Sequence, residues 1–362
     1  MPVYDKPLLY KGRGSLSRAP GRFEKTASIA VDDGWGSLDA PLSPIKTDVA
    51  IDCSKSVITY NDSPDVPFDR SINPYRGCEH GCIYCFARPS HAYLGLSPGL
   101  DFESRLFVKP DAPQLLRREL GKRNYQCAPI ALGTNTDPYQ PIERQYQVMR
   151  QILQVLAEAR HPVSIITKAA LIERDIDILS AMARQGLVSV YISLTTLDRS
   201  LARTMEPRAA APQRRLQTVS DLRAAGVPVG VLVAPVIPAL NDHELESLVK
   251  AAQTAGALAV DYILLRLPME VADLFEQWLG QHYPLKAQHI MALIRATRDG
   301  KVYSVALGQR MTGTGHYADM LAQRFRLVSK RLQMPNTLPG LRTDLFRKPI
   351  ADSGQMTFDF FD

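Results

Sequence analysis

The feature that most constrains the fold is an alternation of strand-like and helix-like segments through the middle of the chain. Five apolar segments are each followed by a run with helical spacing of apolar residues. The strand-like segments are 128–134, 163–167, 187–194, 227–235 and 260–266, and the helical runs lie near 142–159, 171–185, 198–225, 242–255 and 269–280. Because parallel strands need crossover connections, the repeat predicts an α/β fold with a parallel sheet covered by helices.

Polar or unusual residues stand where each predicted strand ends. They are TNTDPYQ after the first strand, then Lys168, Ser193, Pro235 with Asn241, and Arg266. In TIM-like barrels the chemistry lies at these carboxyl ends. A sixth strand around RSINPY (70–75) would precede the five. We therefore expect a partial, open (βα)6 TIM-like barrel, with an open doubly wound sheet as the alternative.

The flanks differ from the middle in composition and charge. Residues 1–65 are rich in Gly, Pro, Ser and Asp without periodicity and predict an irregular, basic N-terminal extension, followed by a core at 66–300 and a basic C-terminal extension at 301–362. Residues 1–25 hold six Lys/Arg against two acidic residues, and residues 310–348 hold eight against two. Basic flanks suit a nucleic acid, although solvated arms that aid solubility are the plainer interpretation.

The sequence predicts a cytoplasmic protein. Its N-terminal residues lack the apolar region of a secretory signal. The longest uncharged run, 224–240, contains three prolines and two glycines, so no membrane helix is expected. Five cysteines in a chain of 362 residues are not a disulfide framework. A cluster of them is therefore expected to bind a metal or to be redox-active.

Three of these cysteines, Cys78, Cys82 and Cys85, are spaced C-x3-C-x2-C within eight residues. Three thiolates can bind three irons of a cubane cluster, whereas electron-transfer clusters are normally held by four cysteines. One iron would then stay open for a substrate or cofactor, as an open position does in catalytic zinc sites. Two alternatives remain: a zinc site completed by His80 or His91, and a redox dithiol of Cys82 and Cys85.

Several motifs carry a family resemblance between residues 55 and 340. They are NPYRGCEHGCIYCFARP, TNTDPYQPIE, TMEPRAAAPQRRLQ and VAPVIPALND. With the C-x3-C-x2-C spacing, the chain resembles the radical S-adenosylmethionine (SAM) superfamily, and within it the branch that includes spore photoproduct lyase. The resemblance implies a 4Fe-4S cluster and S-adenosylmethionine as cofactors.

The resemblance also implies roles for individual residues. Cys78, Cys82 and Cys85 match the cluster ligands, and Tyr84 matches an aromatic position near the adenine. The positions that match cofactor contacts are Gly133, Thr134, Asn135, Thr136 and Asp137 for the methionyl amine, Lys168 for the carboxylate, Ser193 for the ribose, and Arg208 and Asn241.

Each of the more distant positions also has an ordinary structural interpretation. Lys168 could be a surface lysine at a strand end, and Ser193 a buried serine bonded to backbone. Arg208 could pair with Glu206, and Asn241 could cap the next helix.

The implied activity is reductive cleavage of S-adenosylmethionine, followed by hydrogen abstraction from a substrate. The one-electron donor would be flavodoxin or ferredoxin. Nucleic acid, in repair or modification, is the favoured substrate; a protein, peptide or small molecule is the alternative, and a zinc-stabilised nucleic-acid-binding module is the non-enzymatic one. Spore photoproduct lyase uses a cysteine as hydrogen donor, near the end of the strand that leads to the loop for the methionyl amine. The corresponding segment of this chain, APIALGTNTD, contains no cysteine. Repair of the spore photoproduct itself is therefore not expected.

The C-terminal QMTFDFFD resembles the short peptides with which bacterial repair and replication proteins dock on the DNA sliding clamp. Such a peptide would bind through Gln355 and the aromatic residues up to Phe361. A C-terminal strand or core-packing segment is the plainer interpretation.

Overall fold

The structure, a computed structural model, describes residues 13–24 and 45–349. Ten strands lie within these residues. They are β1 Asp48–Ile51, β2 Thr59–Tyr60, β3 Arg70–Ile72, β4 Tyr75–Arg76, β5 Arg105–Val108, β6 Ile130–Leu132, β7 Val163–Thr167, β8 Val188–Ser193, β9 Val229–Val236 and β10 Ala259–Leu264. The five strands predicted between residues 128 and 266 all appear, each within a few residues of its expected bounds.

Seven strands form the central sheet, in the order β10-β9-β8-β7-β6-β3-β2. Six of them, β3 and β6 to β10, are parallel, and β2 joins β3 antiparallel at one edge. The parallel strands follow one another in chain order without the reversal that defines a doubly wound sheet. The partial (βα)6 barrel is therefore confirmed, and β3 is the sixth strand expected around residues 70–75.

Eight helices lie between the parallel strands in the described part of the chain, and the last three follow β10. They are α1 Leu100–Ser104, α2 Ala112–Leu120, α3 Glu143–Tyr146, α4 Val148–Glu158, α5 Ile176–Ala183, α6 Arg199–Met205, α7 Pro212–Ala224, α8 Leu245–Thr254, α9 Val271–His282, α10 Ala287–Ala296 and α11 Gly315–Arg331. Three short 3-10 helices cover Arg88–Leu94, Ala170–Asp175 and Asp242–Glu244.

The main core lies between the sheet and these helices. Val188, Val190 and Ile192 are buried on one face of β8, and Ser189 and Ser193 are buried on the other, as expected for a strand covered on both faces. On α4, apolar residues three and four positions apart form one buried face, which includes Ile152 and Leu156. A second apolar cluster joins Ile83 of the cysteine loop to α9 and α10. The loop is thus packed on its own hydrophobic support.

Two short strands appear in the extension that was expected to be irregular. β1 pairs with β5 and β2 with β3, and β5 also pairs with β4 in a small three-stranded sheet. β1 has four residues and β2 two, which is too short for a sequence period to show. β5 lies far along the chain from β1, and nine residues separate β2 from β3, so pairing rather than local preference places both strands.

The segment after residue 300 hydrogen-bonds to β10, the last strand of the open sheet. The Val260 N–H donates to the Pro335 carbonyl at 2.9 Å, and the Leu264 N–H donates to the Met311 carbonyl at 2.8 Å. The predicted clamp-binding peptide, 355–361, lies outside the described residues. Across the described ranges, no helix is both long and apolar enough to span a membrane.

Candidate functional site

The three cysteines lie in a loop that follows β3 and β4 at the carboxyl edge of the sheet. Cys78 and Cys82 are buried, Cys85 is partly buried, and all three are free thiols. Gly77 and Gly81 turn this loop with φ values of 75° and 66°. A Cβ at Gly77 would lie 2.8 Å from the Phe102 carbonyl oxygen, so the loop requires glycine there.

A buried ion pair holds the cysteine loop from beneath. Arg88 is fully buried and donates to the carbonyls of Gly81 and Cys82, at 3.2 and 2.9 Å. The same guanidinium pairs with Glu103 at 2.5 Å. The Glu103 carboxylate also accepts the Gly14 N–H at 2.9 Å, so the N-terminal segment completes this support. No spacing rule marks Arg88 or Glu103, although Arg88 lies inside the quoted cysteine motif.

Burial raises the pKa of the Cys78 thiol, and the charge of Asp137 raises it further. Burial also raises the pKa of Cys82 to about 12, with a contribution from Glu206 that Lys168 opposes. Buried thiols of this kind ionise when a metal supplies compensating positive charge. Three free thiols in one enclosed loop therefore fit a thiolate-bound metal group.

The geometry does not fit a single zinc ion. In the described part of the chain, no three His, Cys, Asp or Glu side chains converge as ligands of one ion do. His80 Nδ1 lies 3.3 Å from Asp137 Oδ2, and His91 Nε2 lies 3.0 Å from the Arg105 carbonyl. These contacts use one ring nitrogen of each histidine, and His91 Nδ1 is buried without a partner, so the failure of the ligands to converge is what argues against zinc. In a cubane cluster each thiolate binds a different iron, so the sulfurs need not converge.

The loop 133–137 lies beside the cysteines because Asn73, just after β3, holds it. Asn73 Oδ1 accepts the N–H groups of Asn135 and Thr136 at 3.0 and 3.3 Å, and its Nδ2 donates to Thr134 Oγ1 at 3.1 Å. Gly133 has φ 88°, and a Cβ there would lie 2.1 Å from the Ile166 carbonyl oxygen. Asn73 was not predicted; it follows β3 in the way that the other polar residues follow their strands.

Asp137 connects this loop to the next strand. Its carboxylate accepts the Thr167 hydroxyl at 2.6 Å and the Lys168 N–H at 2.8 Å. Burial alone would raise the pKa of Asp137, but the His80 ring and these hydrogen bonds lower it to about 2. The structure thus places Asp137 in the predicted loop with both oxygens bound to protein. Its side chain therefore fixes the loop against β7.

Tyr84 is buried against a second ion pair. Its hydroxyl donates to Glu206 and lies 3.2 Å from Thr195 Oγ1. Glu206 pairs with the buried Arg215 rather than with Arg208. Burial would raise the pKa of Glu206, but Arg215 and then Lys168 lower it to about 2. Thr195, Glu206 and Arg215 were not identified as site residues, although Glu206 stands in the quoted EPR motif.

Lys168 is the residue predicted to contact the carboxylate of the cofactor. Its Nζ lies 5.8 Å from the centroid of the Tyr84 ring, and its charge acts on both Cys82 and Glu206. No carboxylate among residues 13–24 and 45–349 forms a salt bridge with it. Lys168 is therefore not an ordinary surface lysine: its ammonium lies beside the cysteine loop, near the ring of Tyr84.

The remaining predicted residues occupy different positions. Ser193 is buried at the end of β8, and its carbonyl accepts from Arg215 at 3.1 Å. Arg208 pairs with Glu79, next to Cys78, at 3.1 Å. The Asn241 amide donates to the carbonyls of Thr195 and Pro235 and accepts the Ile237 N–H. Asn241 therefore ties the ends of β8 and β9 together instead of capping a helix.

Comparison with known families agrees with this architecture. The sequence profile of the radical SAM superfamily matches residues 72–252, half of the chain, which includes the cysteine loop and the strand ends described above. The chain belongs to the radical SAM superfamily. It is accordingly a radical SAM enzyme.

Relatives and solved structures extend the comparison. An uncharacterized protein of Mycobacterium tuberculosis is 39% identical over 234 residues, which cover 64% of this chain and 69% of the relative. A radical SAM Nalpha-GlyT isomerase of Pseudomonas phage M6 is 25% identical over 173 residues, or 47% of this chain and 34% of the isomerase. Spore photoproduct lyase complexed with dinucleoside spore photoproduct aligns with a TM-score of 0.56 at 15% identity, over 78% of each chain. The chain thus has the lyase fold.

Proposed function

We propose that the chain holds a 4Fe-4S cluster through Cys78, Cys82 and Cys85, and cleaves S-adenosylmethionine reductively to abstract hydrogen from a nucleic acid in repair or modification. The observation that carries the proposal is the enclosed loop of three free thiols beside Lys168. Three thiolates leave one iron of a cubane cluster open for a cofactor. The family, whose members combine this cluster with S-adenosylmethionine, supports the same assignment.

When bound, the cluster and S-adenosylmethionine supply a 5′-deoxyadenosyl radical. The residues of this chain would bind S-adenosylmethionine and orient it. The Lys168 ammonium attracts the carboxylate of the cofactor, and the Ser193 hydroxyl lies at the strand end where a ribose would accept or donate a hydrogen bond. The loop 133–137 would hold the methionyl ammonium. The apolar cluster around Ile83 keeps water from the support of the cysteine loop.

Nucleic acid is the proposed substrate for two reasons. The fold is that of a lyase whose structure holds a dinucleoside photoproduct, and the basic residues concentrate in the flanks. The reaction differs from the lyase's own. β6 contains no cysteine, and Cys127 precedes its amino end, away from the carboxyl edge where the site lies.

Anaerobic reconstitution tests the cofactor assignment. The wild-type protein is expected to bind iron and sulfide and to form 5′-deoxyadenosine with dithionite and S-adenosylmethionine. Cys82→Ala is expected to lose that activity, whereas Cys127→Ala, a free cysteine outside the loop, is expected to retain it. Stoichiometric zinc without iron in the wild-type protein would refute the cluster.

A labelling experiment tests the substrate. Deuterated DNA and RNA are incubated with the reconstituted enzyme, and 5′-deoxyadenosine is analysed for deuterium by mass spectrometry. Deuterium transfer from either polymer supports the proposal. Turnover with label transfer only from a deuterated peptide or small molecule would assign the enzyme to the alternative substrate class.

Two protein partners belong to the proposal. Flavodoxin or ferredoxin would supply the electron, since no second cysteine cluster is present in the sequence to relay it. The peptide 355–362 would bind the DNA sliding clamp. We expect the free peptide to bind clamp and to lose binding in the Gln355→Ala, Phe360→Ala double variant; unchanged affinity in that variant would contradict the assignment.

A further inference from the structure

Arg266 lies two residues beyond β10 and contacts the residue that follows the third cysteine. Its guanidinium carbon lies 4.2 Å from the centroid of the Phe86 ring, and Phe86 directly follows Cys85. The Phe86 ring is 42% exposed, although it is large and apolar. An aromatic ring and a guanidinium are therefore presented together at the edge of the cysteine loop.

Arg266 has no partner of opposite charge in residues 13–24 and 45–349. It makes no salt bridge or side-chain hydrogen bond there, and its nitrogens are not among the fully enclosed polar atoms without a partner. The guanidinium is partly buried yet reachable from solvent. A partly buried, unpaired cation is unfavourable unless an anion binds it.

A second arginine adds to the positive charge. Arg298 is buried and donates to the carbonyls of Leu265 and Gln309, at 2.8 and 2.9 Å, which are neutral partners. Arg310 lies nearby but is paired with Asp65. Burial lowers the pKa of Arg266, and the nearby groups act in both directions: Arg310 lowers it, whereas Tyr303, Cys85 and Asp65 raise it. The carboxyl end of β10 therefore carries net positive charge on groups already held in place.

We propose that Arg266 and Phe86 form a nucleotide subsite in which the guanidinium binds a phosphodiester and the exposed ring stacks on a base. The subsite rests on the proposed function and names the part of the nucleic acid that lies next to the cysteine loop. A planar guanidinium suits bidentate binding of phosphate, and ring stacking accepts any base. The phosphate contact fixes register without reading sequence.

Binding of a labelled single-stranded thymidine oligonucleotide to the reconstituted protein tests the subsite by fluorescence anisotropy over a series of salt concentrations. Arg266→Gln is expected to weaken binding about tenfold and to reduce the magnitude of the log–log salt slope by about 0.7, the value for one phosphate of a single strand. Arg266→Lys keeps the charge and is expected to keep the slope.

Phe86→Leu has a different expected signature. It weakens binding of the thymidine oligonucleotide at least about fivefold, because a stacking contact is lost, and leaves the salt slope unchanged. It leaves binding of an abasic deoxyribose-phosphate oligonucleotide unchanged. Arg117→Gln is the matched control, because Arg117 lies outside the basic flanks, on α2, and pairs with Glu158 at the end of α4.

Three possible results distinguish a failure of the subsite from a failure of the proposed function. If the wild-type protein binds no oligonucleotide, the nucleic-acid function itself fails. If it binds and Arg266→Gln changes the slope no more than Arg117→Gln does, the subsite is wrong while the function stands. If Arg266→Gln leaves binding intact but shifts the reduction potential of the cluster, Arg266 compensates cluster charge instead, and the subsite is again overturned.

Discussion

Glu206 shows how a single residue can serve the site without facing the cofactor. It is buried, accepts from Tyr84, and pairs with Arg215, whose own guanidinium also holds the end of β8. Its charge thus fixes the Tyr84 ring against the strand that carries Ser193. Residues of this kind hold other side chains in position. We therefore expect their substitution to lower the stability of the fold as well as the affinity for the cofactor.

The pKa of Glu206 falls from 4.5 to about 2 on folding, so the ionised form stabilises the native state. That stability is fully present above pH about 4.5 and is lost as pH falls towards 2. Glu206→Gln leaves the Arg215 charge buried and is expected to cost about 3–5 kcal/mol at neutral pH. Urea unfolding should show the gap between wild type and variant narrowing below pH 4.5; a gap independent of pH would contradict the assignment.

Lys168 gives a second prediction at this scale. Lys168→Met removes the unpaired cation near Tyr84 and is expected to weaken S-adenosylmethionine binding about 10- to 100-fold, since a charge-assisted contact is lost. Iron content is expected to stay at the wild-type level. Calorimetric titration of the reconstituted protein measures the affinity. Lys122→Met, on the surface after α2, is the control, and equal affinities of the two variants would remove Lys168 from the cofactor site.

At the scale of elements, the loops after β3 and β6 depend on glycines as well as on the side chains that hold them. Gly133 and Gly226 have similar φ values, 88° and 81°. A Cβ at Gly133 would meet the Ile166 carbonyl at 2.1 Å, whereas none of the surrounding atoms lies within 4 Å of one at Gly226. Substitutions at these two positions therefore distinguish the cost of a left-handed backbone angle from the cost of a steric clash.

Gly226→Ala is expected to cost about 1–2 kcal/mol, the price of a left-handed alanine. Gly133→Ala is expected to cost more than about 4 kcal/mol, because β7 must move away from the loop. Denaturant unfolding measures both. Similar costs for the two variants would show that the loop 133–137 adapts easily and is not rigidly held against β7.

The elements differ in how far sequence could predict them. The five later strands and their helices could be predicted because each strand is an apolar run and each helix after it is an amphipathic run. β1 and β2 were not, since two to four residues carry no period. In the site, residues within motifs could be named, but Arg88 with Glu103, and Arg215 with Glu206, meet only through tertiary packing. The predicted cofactor contacts of Ser193, Arg208 and Asn241 stay predictions.

At the scale of the whole molecule, the edge strand β10 depends on residues far along the chain. Met311 and Pro335 supply carbonyls to its N–H groups. A chain that ends after Gly300 is expected to leave these groups open and to aggregate through the sheet edge. Light scattering and size-exclusion chromatography compare it with a chain that ends after Pro349, which keeps every described contact. A monodisperse shorter chain would show that β10 needs no such partner.

The hydrogen bond from Gly14 to Glu103 and those from β10 to Met311 and Pro335 have a consequence for biosynthesis. The Gly14–Glu103 support of the cysteine loop is synthesised more than 200 positions before Met311 and Pro335, which complete the sheet edge. Because Ile83 of the loop also packs on α9 and α10, which follow β10, we expect the loop to be fully held, and the cluster to be inserted, only after translation. Ribosome-bound chains arrested before Met311 should take up less iron than released ones, and equal uptake would show that insertion begins on the nascent chain.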